Sequence, residues 1–184
     1  MVNQIARILT IKSTYMNLIK QLAKEAKKKG ICEDWHLRLK VTDSVEELID
    51  MYIKGIDFCL ANNYPSNDFL RKNYKGKIEH RGIYIDDQFN LKNSRFLVSL
   101  GNCSGGIEVN GYNVSEVFVK DESSVTIIAK ESAFVMVDIF DHASVSVIAH
   151  DSARVCINRY GGGVKQEELN NSSIKIREMN KKTY

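Results

Sequence analysis

Acidic side chains are the residues of this sequence whose type and spacing could do chemistry. Adjacent aspartates occur at Asp86 and Asp87, and further acids recur along the second half of the chain, at Asp121, Glu122, Glu131, Asp141 and Asp151. Two carboxyl groups can cleave a glycosidic bond when one acts as an acid and the other as a base or nucleophile. A carbohydrate site is therefore one hypothesis. The alternative is that these acids are solvated residues at bends of the chain.

Other chemistry has weaker support. His142 and His150 lie near acids and could bind a metal, but an internal repeat places Glu122 and Lys130 in equivalent positions, so a polar ladder explains them equally well. Cys156 has no histidine placed to activate it. Neither a GxGxxG, a Walker loop nor a GxSxG motif occurs. We predict no catalytic residue, metal or cofactor, and the sequence favours a protein that is not an enzyme without deciding the question.

A basic cluster lies near the end of the first predicted helix, formed by Lys24, Lys27, Lys28 and Lys29. Cations in the last turn of a helix stabilise it by interacting with the negative end of the helix dipole. A phosphate-binding patch is the rival interpretation and leaves nucleic-acid or nucleoprotein binding as an alternative function. The net charge of +3 is too small to support that alternative by itself.

Composition indicates a globular protein, with 43% hydrophobic and 27% charged residues. We expect no membrane association, because no run approaches the roughly 18 apolar residues that a spanning helix needs, and we read no signal peptide at the start. The four cysteines are far apart and form no CxxC pair. Free thiols of this kind are typical of a reducing compartment, so we expect a cytoplasmic protein.

The first part of the chain, residues 1–76, predicts a small helical domain. Apolar residues recur at helical spacing over residues 13–29, where Ser13 or Thr14 could cap the start and Gly30 the end. Ser44 and Glu47 form a capping box before an apolar stripe that runs to about residue 61. A short helix over residues 34–41 and another after Ser66 complete the predicted domain.

A repeat dominates the second part. Residues 121–140 read DESSVTIIAKESAFVMVDIF and residues 141–160 read DHASVSVIAHDSARVCINRY, with 8 of 20 positions identical. Each block contains two β-branched runs that are separated by small polar residues, which is typical of short strands and bends. Self-similarity at a fixed period indicates a solenoid. We therefore predict an α+β protein in which a helical domain precedes a short parallel β-solenoid, or β-helix, over residues 77–180, with about 20 residues per coil.

A 20-residue coil stacks residue i on residue i+20, about 4.8 Å apart. The predicted interior pairs are Val125 with Val145, Ile127 with Val147, Val135 with Val155 and Val137 with Ile157. Outward pairs are Thr126 with Ser146 and Asp138 with Asn158, while Phe134 over Arg154 could form a cation–π contact and Phe140 over Tyr160 an aromatic stack. Like-charged acids fall in register at the predicted corners, which requires those corners to be solvated.

Further strands are expected on both sides of the repeat. Residues 83–85, 96–98, 107–109 and 117–119 have strand character, and we place Gly101, Gly105, Gly106 and Gly111 at bends. Residues 171–176 echo the repeat after the Gly161–Gly163 interruption and predict a last polar rung. We expect the tail that contains Lys181 and Lys182 to be loose, and the exposed coil ends to be capped by helices or by another copy of the chain.

Three segments together carry a resemblance to a family: VEELIDMYIKGIDFCLANNYPSNDFLRKNYKG, the glycine-rich GNCSGGIEVNGYNV, and the coils that end in NRYGGG. From about residue 35 onward the chain resembles uncharacterised proteins of gut anaerobic bacteria and of their phages or mobile elements. In these proteins a helical head precedes a short β-solenoid. The resemblance implies the same architecture but no activity. It also implies an accessory or inhibitory protein that acts by binding.

The leading functional hypothesis is a non-enzymatic interaction or structural module. Its partner would be another copy of the chain or another protein, bound through a rigid solenoid platform. Predicted outward positions, among them Ile139, supply the candidate interaction surface, for which we choose Phe134, Phe140, Arg154 and Tyr160. The alternatives are a carbohydrate-binding or carbohydrate-active β-helix, and a nucleic-acid or nucleoprotein binder that uses the basic cluster.

Overall fold

A computed structural model describes the backbone of residues 2–184 and the side chains from residue 15 onward. The chain divides after Ser66 into two compact units. The first contains helices only, and the second contains one more helix and all of the strands. The predicted α+β architecture, a helical part followed by a parallel β-solenoid with coils of the predicted length, is confirmed.

Four helices form the first unit: α1 (Val2–Lys28), α2 (Glu33–Val41), α3 (Val45–Lys54) and α4 (Ile56–Asn62). The start predicted for α1 at Ser13 or Thr14 is wrong, because the helix already begins at Val2. The segment before Ser13 contains neither glycine nor proline, so nothing in it interrupts a helix. The side chains of Ser13 and Thr14 lie outside the described residues.

Local signals account for the other helix ends. Ser44 Oγ accepts a hydrogen bond of 3.1 Å from the backbone N–H of Glu47, which confirms the N-terminal cap of α3. The single helix predicted to run to about residue 61 is divided at Gly55, which ends α3 and precedes α4. Gly30 has a positive φ of 84° directly after the last turn of α1, as predicted.

The first unit has a small core. Tyr64 is buried and its hydroxyl donates a 2.9 Å hydrogen bond to the Leu22 carbonyl of α1, which ties the end of the unit to its first helix. The remaining buried apolar side chains come from all four helices: Ile19, Leu22, Ala23, Ala26, Leu39, Ile49, Met51, Cys59 and Leu60. A core of this size is consistent with the limited surface that about 65 residues can bury.

The second unit begins with α5 (Asn67–Asn73) and a short 3-10 helix (Glu79–Arg81), and then forms the solenoid. The strands are β1 (Ile83–Ile85), β2 (Gln88–Lys92), β3 (Phe96–Leu100), β4 (Ser104–Val109), β5 (Val114–Val119), β6 (Ser124–Ala129), β7 (Phe134–Ile139), β8 (Ser144–Ala149), β9 (Arg154–Arg159), β10 (Gly163–Glu168) and β11 (Ser173–Glu178). Odd-numbered strands form one parallel sheet of six, and even-numbered strands form a second of five.

The predicted register is confirmed. Val125 pairs with Val145 and Ile127 with Val147 in one sheet, while Val135 pairs with Val155 and Val137 with Ile157 in the other. All eight side chains are buried between the two sheets. The spacing predicted from the repeat holds from β3 to β9, whereas the first coil is clearly shorter and the last coil is slightly shorter.

Acidic residues occupy the bends between the sheets. Asp121, Glu131, Asp141 and Asp151 have positive φ values of 62°, 60°, 53° and 59°, so the chain turns in the left-handed region twice in each coil. Aspartate tolerates this region better than most residues because its short side chain can hydrogen-bond locally. Five of the acids that suggested chemistry in the sequence, these four and Asp86, therefore adopt the left-handed corner conformation.

Two details of the sequence prediction are wrong. Gly105 and Gly106 lie inside β4 rather than at a bend. Glycine is required at position 105 because a Cβ atom there would lie 2.2 Å from the carbonyl oxygen of Phe89 on the adjacent strand. Strands β2 and β10 were not predicted, and the β10 sequence GVKQEE lacks the apolar alternation of the other strands.

Candidate interaction surface

The outer side of the six-stranded sheet exposes apolar side chains. Val114 is 50% exposed and Met136 is 42% exposed, and the side chains of Phe134 and Cys156 are half-buried. All four point away from the core, because they alternate along β5, β7 and β9 with buried residues, most of which are valine or isoleucine. We call Val114, Phe134, Met136 and Cys156 the interaction face.

Opposite charges flank the interaction face along the solenoid axis. Strand pairing places Glu116 next to Met136 on the side of the earlier coil, and Arg154 next to Phe134 on the side of the later coil. Lys175 follows Cys156 one strand further on. The face therefore has an acidic border towards the start of the solenoid and a basic border towards its end.

The structure brings the predicted surface residues together as two pairs, Phe134 with Arg154 and Phe140 with Tyr160. Phe134 and Arg154 stack in register, as predicted, but no cation–π contact forms between these two described side chains. Phe140 and Tyr160 form the predicted stack, with ring centroids 4.7 Å apart and an interplanar angle of 16°. The predicted exposure of Phe140 is wrong, because Phe140 is fully buried. The outward position expected for Ile139 is also wrong, because it faces the core with Val135 and Val137.

A docked tail explains the burial of Phe140. The ring of Tyr184 lies 5.4 Å from that of Phe140 and 5.2 Å from that of Tyr160. The predicted loose tail is therefore wrong for this part of the chain. Asp138 is covered as well: it was predicted to face out beside Asn158, and the register is correct, but it is only 8% exposed. The other predicted outward pair, Thr126 and Ser146, does point away from the core.

The basic cluster lies on the exposed side of α1. The side chains of Lys24, Lys27, Lys28 and Lys29 are all exposed, and Lys27 and Lys28 lie in the last turn, where the helix dipole favours cations. Lys29 Nζ donates a 2.5 Å hydrogen bond to the carbonyl oxygen of Asn62, which is the end of α4. At least this lysine has a structural role, and binding of nucleic acid through the cluster stays a hypothesis.

The corner acids hold adjacent coils together. The backbone N–H of Gly101 donates to Asp121 Oδ2 at 2.7 Å, and the N–H of Glu131 donates to Asp151 Oδ2 at 3.1 Å, in each case from the preceding coil. Hydrogen bonds from backbone N–H groups stabilise the ionised carboxylate and make stacked acids tolerable. These carboxylates therefore have structural partners.

Asp86 makes the same kind of contact at the first corner. It accepts a 2.7 Å hydrogen bond from the N–H of Asn102 and a further hydrogen bond from the Arg71 guanidinium of α5. The Arg71 hydrogen bond is the main reason that the pKa of Asp86 lies below its usual range. Asp86 thus joins α5 to the first coil as an ionised side chain.

Potential reactive centres are few in the described part of the chain. Burial raises the pKa of the Cys59 thiol to about 12, so it carries almost no thiolate at neutral pH. Among the described residues, no group of three or more histidine, cysteine, aspartate or glutamate side chains could hold a metal ion. A shallow open depression of about 380 Å³ lies on the five-stranded sheet, and its lining contains no titratable side chain: Gln88, Phe89, Asn90, Ser104 and Gly105.

Sequence reasoning missed three members of the interaction face, Val114, Met136 and Cys156. The alternation that identified the core also identifies the residues between the core positions, which point outward. Reading which of these outward residues are apolar would have found all three. Outward positions on β5, β7 and β9 carry apolar residues, whereas the equivalent positions on β6 and β8 include the hydroxyl residues Ser124, Thr126, Ser144 and Ser146.

The fold defines the class of this chain as a parallel β-solenoid that follows a unit of helices. No family model matches the chain, and neither a curated protein nor a solved structure matches it. None of the helices in the described residues is long and apolar enough to cross a membrane.

Proposed function

We propose that the protein is a non-enzymatic protein-interaction module that binds through the interaction face. The observation that supports this proposal is the exposure of Val114 and Met136 beside Phe134 and Cys156 on the outer side of a parallel sheet. Contiguous exposed apolar side chains with a polar border are typical of protein-binding surfaces. The rigid coils hold these side chains in a fixed arrangement, which lowers the entropic cost of binding.

The first partner that we propose is a second copy of the chain. A two-fold axis parallel to the strands, at the level of Phe134 and Met136, would turn one solenoid antiparallel to the other. Strand β5 of each copy, which carries Glu116, would then face strand β9 of its partner, which carries Arg154, so the acidic border of one copy meets the basic border of the other. A surface with opposite charges on its two sides is complementary to itself in this orientation, as a two-fold interface requires.

Sedimentation velocity tests the proposal. We expect the protein to form dimers at high micromolar concentration, and we expect Met136→Glu to make it monomeric because a carboxylate would be buried in the apolar interface. Thr126→Glu is the matched control, because Thr126 is an exposed strand residue on the other sheet. A protein that stays monomeric up to several hundred micromolar would contradict self-association.

Charge exchange tests the orientation of the two copies. Glu116→Lys alone should weaken the dimer because it places like charges opposite each other, and adding Arg154→Glu should restore it. The same restoration is not expected if the copies are parallel, because each residue would then face its own counterpart. A double variant that dimerises no better than Glu116→Lys would contradict the antiparallel arrangement.

A role in a cell follows from the same proposal. We propose an accessory or inhibitory protein of a phage or mobile element, which acts in the cytoplasm by occupying a surface of another protein. Buried free thiols at Cys59 and Cys103 support a reducing compartment. Expression of the wild type and of Met136→Glu in the same bacterial host, followed by crosslinking and identification of captured proteins, tests this role, because a specific partner should be lost with the variant.

A further inference from the structure

Residues 180–184 fold back onto the outer side of the six-stranded sheet, and we call this segment the strap. Tyr184 is its anchor. The Tyr184 ring lies edge-on to the stacked pair below it, at 64° to the ring of Phe140 and 65° to the ring of Tyr160. Edge-on geometry directs the positive rim of one ring to the negative face of another, which is the favoured arrangement of aromatic groups.

A carboxylate completes the binding position of Tyr184. The Tyr184 hydroxyl donates a hydrogen bond to Asp138 Oδ2, and Asn158 Nδ2 donates to Asp138 Oδ1 at 2.7 Å. Asn158 therefore orients the carboxylate so that one oxygen is left for a donor above the sheet. We call Asp138, Phe140, Asn158 and Tyr160 the tyrosine slot.

Cations lie beside the slot on two sides. The ammonium group of Lys181, which belongs to the strap, lies 5.9 Å from the centroid of Tyr160. Lys120, which belongs to the solenoid, lies 5.6 Å from the centroid of Phe140 and pairs with Asp141. The strap thus contributes both a phenol and a cation, and the slot offers a carboxylate and aromatic faces, which are the groups that recognise them.

The strap fits the slot imperfectly. The hydroxyl of Thr183 is buried without a hydrogen-bond partner, and such a group lowers the stability of the docked state. The neighbouring side chains of Lys181 and Lys182 are exposed. A short segment anchored by Tyr184, with an unsatisfied buried hydroxyl next to it, can be displaced by a competitor.

We propose that the tyrosine slot is a binding site for a tyrosine-containing basic segment of a partner protein, and that the strap is its internal competitor. Binding of the partner displaces Tyr184. The tyrosine of the partner then donates its hydroxyl to Asp138, and a cation of the partner lies over the ring of Tyr160. The site is distinct from the interaction face, although Asp138 lies two residues after Met136 on the same side of β7. The inference does not depend on self-association.

A peptide titration followed by NMR tests the proposal. The probe is acetyl-Asn-Lys-Lys-Thr-Tyr-amide, which copies residues 180–184. A short linker gives a tethered group an effective concentration in the millimolar range, so the strap should lower the apparent affinity for the probe about tenfold or more. We therefore expect Tyr184→Ala to bind the probe at least tenfold more tightly than the wild type, with shifts at Asp138 and Tyr160. Tyr112→Ala is the control, because it removes an exposed tyrosine outside the slot.

Two further variants separate a binding site from a simple latch. In the Tyr184→Ala background, Asp138→Asn should weaken probe binding about tenfold, because the phenol loses a charged acceptor. A probe in which phenylalanine replaces tyrosine should bind the Tyr184→Ala protein more weakly by a similar factor. If the folded Tyr184→Ala protein shows no probe binding up to about 10 mM, or if the wild type binds equally well, the slot is only a docking position for the strap and the proposal is wrong.

Discussion

The ammonium group of Lys120 lies 2.5 Å from Oδ2 of Asp141, on the next coil of the solenoid. Lys120 is nearly buried, with 7% of its side chain exposed, whereas 38% of the Asp141 side chain is exposed. The two residues therefore differ in what each would lose if the other were removed. A carboxylate at a corner can be hydrated, but a buried ammonium group cannot.

We predict that Asp141→Asn destabilises the protein more than Lys120→Met does. The Asn variant leaves the buried ammonium group without its anion and should lower the free energy of unfolding by about 1 to 3 kcal/mol. The Met variant keeps the apolar volume and should cost less than about 1 kcal/mol. Asn tolerates the positive φ of this corner, so backbone strain does not confuse the comparison. Chemical denaturation followed by circular dichroism measures both, and the reverse order would contradict the argument.

An isoleucine in an inner coil contributes more to the free energy of unfolding than an isoleucine in the last coil. Ile157 and Ile176 pair in register on β9 and β11, but Ile157 is fully buried and Ile176 is 37% exposed at the last coil. Ile157→Ala should lower the free energy of unfolding by about 2 to 5 kcal/mol, because it leaves a cavity inside the stack. Ile176→Ala should have an effect of less than about 1.5 kcal/mol. Equal losses in urea denaturation would show that the last coil is as well packed as the others.

Polar residues close the last coil. The interior positions that Val147 and Ala149 fill on β8 are taken by Gln166 and Glu168 on β10, and both are exposed. On β11 Glu178 occupies another interior position, where its Oε1 accepts a 3.1 Å hydrogen bond from Arg159. Inward-pointing charged residues at an edge are a known way in which sheets avoid pairing with another chain. This end of the solenoid therefore carries its own cap.

We predict that Gln166→Val combined with Glu168→Ala, which copies the residues of the preceding coil, causes the protein to self-associate through this end of the solenoid. Size measurements should show species that grow with concentration, because the apolar column would then reach an unpaired strand edge. The variants are made in the Met136→Glu background so that the interaction face does not contribute. Lys165→Ser, which copies the outward residue Ser146, is the control. A double variant with the same size as its parent would contradict the capping role.

The contact between Arg71 and Asp86 predicts a pH dependence. The pKa of Asp86 is lowered in the folded state, first by the Arg71 hydrogen bond, so ionisation of Asp86 favours folding. This contribution is fully present above the ordinary aspartate pKa of about 3.9 and is lost as the pH falls through the lower pKa of the folded protein.

Asp86→Asn should therefore lower the free energy of unfolding by about 1 kcal/mol at pH 7, and this difference from the wild type should disappear in strongly acidic solution. Thermal unfolding across the acidic range measures it. Glu167→Gln is the control, because that carboxyl is exposed on β10. A difference that stays constant down to the lowest pH would mean that the loss at Asp86 is not electrostatic.

The solenoid was predictable because its information is local and repeated. Val125 and Val145 occur in equivalent contexts one coil apart, so the same alternation predicts both the strand and the register. The prediction of strands failed where the sequence repeat becomes irregular. The last coil is slightly shorter than the regular coils, and charged residues replace apolar ones on β10, which therefore carries no signal of alternation.

The sequence by itself determined the period, the parallel pairing and most of the inward-facing residues of the regular coils, Ile139 being an exception, because side chains of one type can stack repeatedly only in one register. The tertiary structure alone decided which outward residues are accessible. Asp138 is an outward position of β7 and Phe140 lies at the bend after it, so the repeat predicts that both are exposed. Tyr184, which is distant from both in the sequence, covers them. A contact over that distance depends on the direction in which the chain leaves β11, and no local periodicity encodes that direction.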